Sequence, residues 1–100
     1  MKPSELEGLL IDKLELFSSF MHVYLFGSAI CPVKFRADSD IDLLLLYSNF
    51  TSDLIPLCER IFETLNRETN HTIHLTVFSI DEEQTTGFLS KIGPDYIKLK

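Results

Sequence analysis

The chain has little of several features that mark large functional classes. Its two cysteines, Cys31 and Cys58, lie in unlike contexts without a Cys-x-x-Cys or Cys/His spacing, so they predict free thiols rather than a zinc site or disulfide framework. No apolar run approaches the roughly 20 residues that cross a bilayer. The opening MKPSELEG also lacks the cationic and then apolar layout of a signal peptide. We therefore expect a cytoplasmic protein with no membrane partner.

Basic residues are also scarce. Nine Lys and Arg stand against fifteen Asp and Glu, which gives a formal net charge of −6. Such a surface repels phosphate backbones, so direct nucleic-acid binding is disfavoured. A single nucleotide is less affected, because a bound magnesium ion cancels much of its charge. With 100 residues, 45% of them hydrophobic, the sequence predicts one domain over residues 1–100 with a modest core.

The hydrophobic pattern predicts alternating helices and strands, and therefore a small α/β or α+β fold. The run over 41–47 is almost uniformly apolar apart from Asp42, which is typical of a central strand covered on both faces. The helix over 54–68 is expected to turn one apolar face inward: Leu54, Cys58, Ile61, Phe62 and Leu65. The predicted elements are a helix over 5–20 capped by Ser4 and Glu7, a strand over 23–26 ended by Gly27, a short helical turn and loop over 28–39, a strand over 41–47, a helix over 54–68, a strand over 72–78, a short helix capped by Ser79 and Glu82 and ended by Gly87, and an edge strand over 96–99.

The most informative stretch is LFGSAICPVKFRADSDIDL, residues 25–43. Asp40 and Asp42 are two residues apart, so in an extended strand both carboxylates point to the same side. Two neighbouring acids repel each other unless a cation lies between them, and magnesium prefers such hard oxygen ligands. The alternative is that these acids cap a loop or pair with Lys34 or Arg36.

The Gly27-Ser28 turn precedes this acidic pair. Its backbone N–H groups and hydroxyl suit a phosphate, although the same two residues also form ordinary strand-ending turns. Lys34 and Arg36 follow in the loop, where they either reach a triphosphate or form a solvated basic patch. Together these parts indicate metal-assisted phosphoryl or nucleotidyl transfer.

The Gly-Ser turn, a spacer and then SDIDLLL on the next strand resemble the signature of the nucleotidyltransferase (DNA polymerase beta-like) superfamily. The order of elements over residues 5–80 is similar to that of its smallest members, the minimal nucleotidyltransferases. The resemblance implies the nucleotidyltransferase fold, with a small mixed sheet of three or four strands flanked by helices. It also implies that Asp40 and Asp42 hold one or two Mg²⁺ ions, and that Gly27 and Ser28 position the phosphates of ATP or another NTP.

The sequence departs from this family at the third strand. In the family a third carboxylate comes from that strand, whereas aligning TIHLTVFS with it puts His74 at the acidic position, with Thr76 on the same face. A neutral imidazole is able to act as a base but binds magnesium poorly. His74 is therefore either a general base or a strand histidine without chemistry. The basic-glycine element that commonly follows the Gly-Ser turn is also absent, since Ala29 and Ile30 stand there.

Two functional interpretations follow. In the first, the chain is an enzyme that binds Mg-NTP and transfers a nucleoside monophosphate to a hydroxyl, with release of pyrophosphate. The resemblance implies a helical HEPN-type protein as partner and acceptor, as in some toxin–antitoxin pairs, and leaves a homo-oligomer open. In the second, the chain is a weak or inactive nucleotide-binding, antitoxin-like module that acts by binding such a partner. The missing third acid and the small size favour the second interpretation.

Overall fold

We describe the fold from a computed structural model that covers residues 2–100. Its helices are α1 (Pro3–Asp12), α2 (Leu54–Thr69), α3 (Ile80–Thr86) and α4 (Phe88–Lys91), and its strands are β1 (His22–Phe26), β2 (Ile41–Tyr47), β3 (Ile73–Ser79) and β4 (Tyr96–Lys98). Short 3₁₀ helices cover Leu14–Phe17 and Gly27–Ile30. Within residues 2–100, every helix is too short or too polar to span a membrane.

The four strands form one mixed sheet in the order β3-β2-β1-β4. Strand β1 runs antiparallel to both β2 and β4, whereas β2 and β3 are parallel and are joined through α2. The carboxyl end of β1 therefore meets the amino ends of the other three strands at one edge of the sheet. The strand predicted over 41–47 has the bounds observed for β2, and it lies in the interior of the sheet as expected.

Alternate residues of β2 are buried on opposite faces of the sheet. Leu43 and Leu45 belong to the larger core, which α1 and α2 cover, while Leu44 and Leu46 belong to a smaller cluster on the other face. The smaller cluster is completed by aromatic and aliphatic side chains from the C-terminal third, namely Phe78, Ile80, Phe88, Leu89 and Tyr96. A strand with both faces covered has to be apolar throughout, and this explains the run of four leucines. Asp42 shares the face of Leu44 because side chains alternate along a strand.

The predicted first helix is wrong in its length and in its cap. The α-helix ends at Asp12, and the next residue, Lys13, has a φ of −108° and a ψ of 20°, outside the helical region. The helix starts before Ser4, with Lys2 as the N-cap residue, and no side chain caps it. Pro3 occupies the first turn, where its missing N–H group costs nothing. The tighter 3₁₀ turn that follows keeps apolar residues on the core side, and this explains why periodicity alone predicts a continuous helix.

The later elements agree more closely with the predictions made from the sequence. Ser79 and Glu82 form the expected capping box, and Gly87 ends α3 in the left-handed conformation. The edge strand over 96–99 is observed as β4, whereas the short helix α4 is not predicted. The predicted inner face of α2 is wrong at one residue, Phe62, which is 41% exposed. It lies 100° round the helix from Ile61, which is fully buried.

Candidate functional site

Three strand ends bring the central residues of the site together. Phe26, the last residue of β1, pairs with Asp42 on β2, and Asp42 pairs in turn with His74 on β3. Gly27 follows Phe26 directly. The antiparallel and parallel pairings therefore assemble at one edge three residues that are far apart in the sequence.

The Gly27 turn lies directly against the carboxylate of Asp42. Gly27 has a φ of +76°, a conformation that residues with a Cβ atom seldom adopt. A Cβ atom built there would lie 2.5 Å from Oδ2 of Asp42, so any side chain would collide with the carboxylate. Glycine is therefore required here for both its backbone conformation and the close approach of the carboxylate. The backbone continues through the 3₁₀ helix Gly27–Ile30, which holds Ser28 beside the same site.

His74 occupies the other side of the same carboxylate. Its Nδ1 lies 3.0 Å from Oδ1 of Asp42, and the His74 side chain is 68% exposed while that of Asp42 is 23% exposed. An ionised carboxylate only accepts hydrogen bonds, so Nδ1 carries the proton that is donated to Asp42. In the neutral imidazole this leaves the lone pair on Nε2, which makes that nitrogen a proton acceptor.

Asp40 lies just outside the sheet. The ladder of β2 begins at Ile41, whose N–H donates to the carbonyl of Thr72 over 2.9 Å. Asp40 is therefore an exposed residue at the end of the loop, one residue before the strand, and Asp42 is the more buried of the two acids.

An open cleft of about 610 Å³ borders the Gly27-Ser28 turn. Its lining includes Lys34 from the loop, and Arg36 lies outside it. Two lining residues, Ile92 and Asp95, come from the C-terminal segment and are not predicted to belong to the site. Their place depends on the antiparallel pairing of Tyr96 with Phe26, and no local signal in the sequence indicates it.

Metal-binding groups in the described chain do not form a self-sufficient site. Within residues 2–100, no three His, Cys, Asp or Glu side chains are grouped so as to hold a metal ion. The site therefore offers two aspartates and a histidine that is already hydrogen-bonded to one of them.

Comparison with known proteins gives no family-model match and no match to a curated protein. Solved structures that resemble the chain include the following two. One belongs to a mutant of the toxin–antitoxin MntA-HpeT in which two aspartates, two positions apart, are replaced by glutamates; its TM-score is 0.66 at 17% identity. The other is a toxin–antitoxin with AMP-PNP, with a TM-score of 0.65 at 19% identity. Both likenesses cover 94% of this chain and 72% of the other chain. At these identities they establish the fold alone: the chain shares their α+β fold, with a four-stranded mixed sheet flanked by helices.

Proposed function

We propose that this chain is a nucleotidyltransferase that moves a nucleoside monophosphate from ATP or another NTP to a hydroxyl group on a partner protein. One observation carries the proposal: the Asp42 carboxylate lies between the Gly27 turn and His74 at the edge of the sheet. This proximity supports the proposal, because a turn suited to a phosphate, a carboxylate and an imidazole are neighbours there. The structure with AMP-PNP supports nucleotide binding by a chain of this fold.

The donor set fits magnesium that arrives with the nucleotide. Magnesium is usually held by one or two carboxylates together with substrate phosphates and water, so Asp40 and Asp42 suffice without a third acid. Oδ1 of Asp42 accepts the hydrogen bond from His74, and the other oxygen of the Asp42 carboxylate, Oδ2, retains lone pairs for a cation. Bound magnesium would supply positive charge that offsets the negative charge developing on the phosphates.

The chain's own residues account for the remaining steps. The backbone N–H groups of the Gly27-Ser28 turn and the hydroxyl of Ser28 hold phosphate oxygens, and Lys34 in the adjoining cleft adds positive charge. The acceptor oxygen bonds to the α-phosphorus, the bond from that phosphorus to the β-phosphate's bridging oxygen breaks, and pyrophosphate leaves. The hydroxyl proton passes to Nε2 of His74, and Asp42 stabilises the imidazolium that forms.

A second candidate function is that of an antitoxin-like module that binds a partner without transferring nucleotide. The observation that favours it is His74 itself, because it stands next to Asp42 where a carboxylate would complete a stronger metal site. Loss of one charge-stabilising group costs about 3–4 kcal/mol of transition-state stabilisation. The two structures compared above are both of toxin–antitoxin proteins, which supports a protein partner under either function. A HEPN-type helical protein is the partner we propose, and light scattering distinguishes such a complex from a homo-oligomer.

Calorimetric titration of ATP, with and without magnesium, tests the proposed function without knowledge of the acceptor. We expect binding that depends on magnesium and is abolished by Asp42→Asn. Asp40→Asn should weaken it about 30-fold, within the range found for groups that support a bound metal. Asp40 is expected to matter less because it is the more exposed acid.

Asp53→Asn is the matched control for these substitutions. Asp53 precedes α2, is exposed, and makes no side-chain capping bond, so its loss should leave ATP affinity unchanged. Absence of ATP binding by well-folded wild-type protein would contradict the proposed enzyme and leave the partner-binding function.

A further inference from the structure

The loop between the Gly27 turn and β2 is held together by its own hydrogen bonds. The N–H groups of Lys34 and Phe35 both donate to the carbonyl of Cys31 over 3.0 Å. The N–H of Arg36 donates to Oγ of Ser39 over 2.9 Å, and the N–H of Ser39 donates back to the carbonyl of Arg36 over 3.1 Å. These bonds shape the loop but do not fix it relative to the sheet.

His71 connects this loop to the body of the protein. The residue is 6% exposed, and its Nδ1 lies 2.8 Å from the carbonyl oxygen of Ser39. A carbonyl only accepts, so Nδ1 is the donor. The imidazole also stacks on the ring of Phe35, with centroids 4.7 Å apart and planes inclined by 20°. The histidine side chain therefore holds the loop through one hydrogen bond and one ring contact.

The backbone of His71 is itself held firmly at the end of α2. Its N–H donates to Oγ1 of Thr69 over 3.2 Å, and its carbonyl accepts from Nδ2 of Asn66 over 2.7 Å. Asn70, which lies between Thr69 and His71, adopts the left-handed conformation that ends the helix. His71 is therefore a fixed point from which the loop is positioned.

Asp40 lies between two consecutive attachments of this kind. The carbonyl of Ser39 accepts from His71, and the N–H of Ile41 donates to the carbonyl of Thr72 over 2.9 Å. The backbone on both sides of Asp40 is thus bonded to two successive residues, His71 and Thr72, that directly precede β3. The second bond is part of the sheet, whereas the first depends on a side chain.

We infer that His71 is a positioning residue that fixes Asp40 relative to Asp42 for binding of a magnesium–nucleoside triphosphate. The inference rests on the proposed function. Without the bond from His71 to Ser39, the peptide group before Asp40 is free to rotate. The Asp40 carboxylate would then occupy the magnesium-binding position for less of the time. Histidine is suited to this task because its ring supplies both the buried donor and the flat surface that Phe35 contacts.

A double-mutant cycle with Asp40 tests this role, with ATP affinity in magnesium as the readout. His71→Phe keeps an aromatic ring against Phe35 and removes the donor. We expect it to weaken ATP binding about tenfold in the wild-type background, as for groups that orient a metal ligand, and to have no further effect in Asp40→Asn. His71→Asn, which retains an N–H donor, should restore most of the affinity. Should His71→Phe fail to fold, Phe35→Leu in the same cycle removes the ring stacked on His71, and we expect a smaller loss that is again confined to the wild-type background, because the bond from His71 to Ser39 remains.

The outcomes separate this inference from the function on which it rests. An equal loss of affinity in both backgrounds, or no loss in either, would overturn the role of His71 while leaving the nucleotide site intact. Failure of the wild-type chain to bind ATP would overturn the proposed function and this inference with it. His22→Asn is the matched control, because His22 lies at the opposite end of β1 and should not change ATP affinity.

Discussion

Nδ1 of His74 lies 3.0 Å from Oδ1 of Asp42, on directly paired residues of two parallel strands. The pair joins a mostly exposed imidazole to a largely buried carboxylate. Asp42 thereby fixes the tautomer and the orientation of the ring, and Nε2 of the neutral imidazole is left as an acceptor. A third carboxylate in place of His74 would favour a metal ion more strongly, whereas the imidazole favours transfer of a proton.

Replacement of His74 by an acid should strengthen magnesium binding. In His74→Asp a second carboxylate would stand beside Asp42, and their mutual repulsion is relieved by a bound cation. We expect the magnesium concentration at half-maximal ATP binding to fall about tenfold, which corresponds to about 1.4 kcal/mol. Calorimetry at fixed ATP and varied magnesium measures this change. Ser52→Asp, an exposed position beyond the far end of β2, adds the same charge away from the site and should have no effect. An unchanged magnesium requirement in His74→Asp would argue against a metal at this edge.

The two basic residues of the loop should differ in their contribution to nucleotide binding. Lys34 lines the cleft beside Gly27 and Ser28, whereas Arg36 lies outside it. Lys34→Gln should weaken ATP binding about fivefold, because an exposed charge pair contributes at most about 1 kcal/mol. Arg36→Gln removes the same charge and serves as the matched control, with little expected change. Because adenosine lacks phosphates, neither substitution should change its binding. An equal loss of ATP affinity in Lys34→Gln and Arg36→Gln would instead indicate general electrostatic attraction.

The sequence predicts best those elements that are determined locally. The bounds of β2 are predicted without error because the apolar run over 41–47 has the length of a strand and is too short for a typical buried helix. The cap of α3 is also predicted, since Ser79 and Glu82 interact over three residues. The first helix is overestimated because Leu14 and Phe17 keep the apolar spacing of an α-helix within a 3₁₀ turn.

Contacts between residues that are far apart in the sequence are not predicted from local patterns. The pairing of Asp42 with His74 and the bond from His71 to Ser39 each join residues 32 positions apart. The first is expected only from an alignment of apolar patterns, and the second has no sequence signal, because a buried histidine is not distinguishable there from any other. The contribution of Asp95 to the cleft likewise depends on the edge strand that follows it.

Acidification should destabilise the protein in part through Glu82. The Ser79 backbone N–H donates to the Glu82 carboxylate over 2.9 Å and, with the Ser79 side chain, holds the pKa of Glu82 below its ordinary value. A carboxyl whose pKa is lowered by folding stabilises the fold above its unfolded pKa, and this contribution is lost as pH falls through the folded pKa. Between about pH 7 and about pH 3, Glu82→Gln should therefore lose less stability than the wild type. Urea unfolding at both pH values measures this. Glu59→Gln, on the exposed surface of α2, should follow the wild-type pH dependence.

Replacement of Gly27 should damage both the fold and the site. Gly27→Ala places a methyl group 2.5 Å from Oδ2 of Asp42 and puts alanine at a φ of +76°. The left-handed conformation alone costs about 1–2 kcal/mol for a residue with a Cβ atom. Gly87→Ala isolates that cost, because Gly87 has a φ of +65° and nothing within 4 Å of the added Cβ atom. We expect Gly27→Ala to lower the free energy of unfolding by more than Gly87→Ala does, and to abolish magnesium-dependent ATP binding, while Gly87→Ala retains it. Urea unfolding and calorimetry measure the two effects separately. Equal destabilisation with ATP binding retained in both variants would show that the close approach of Gly27 to Asp42 has no part in the site.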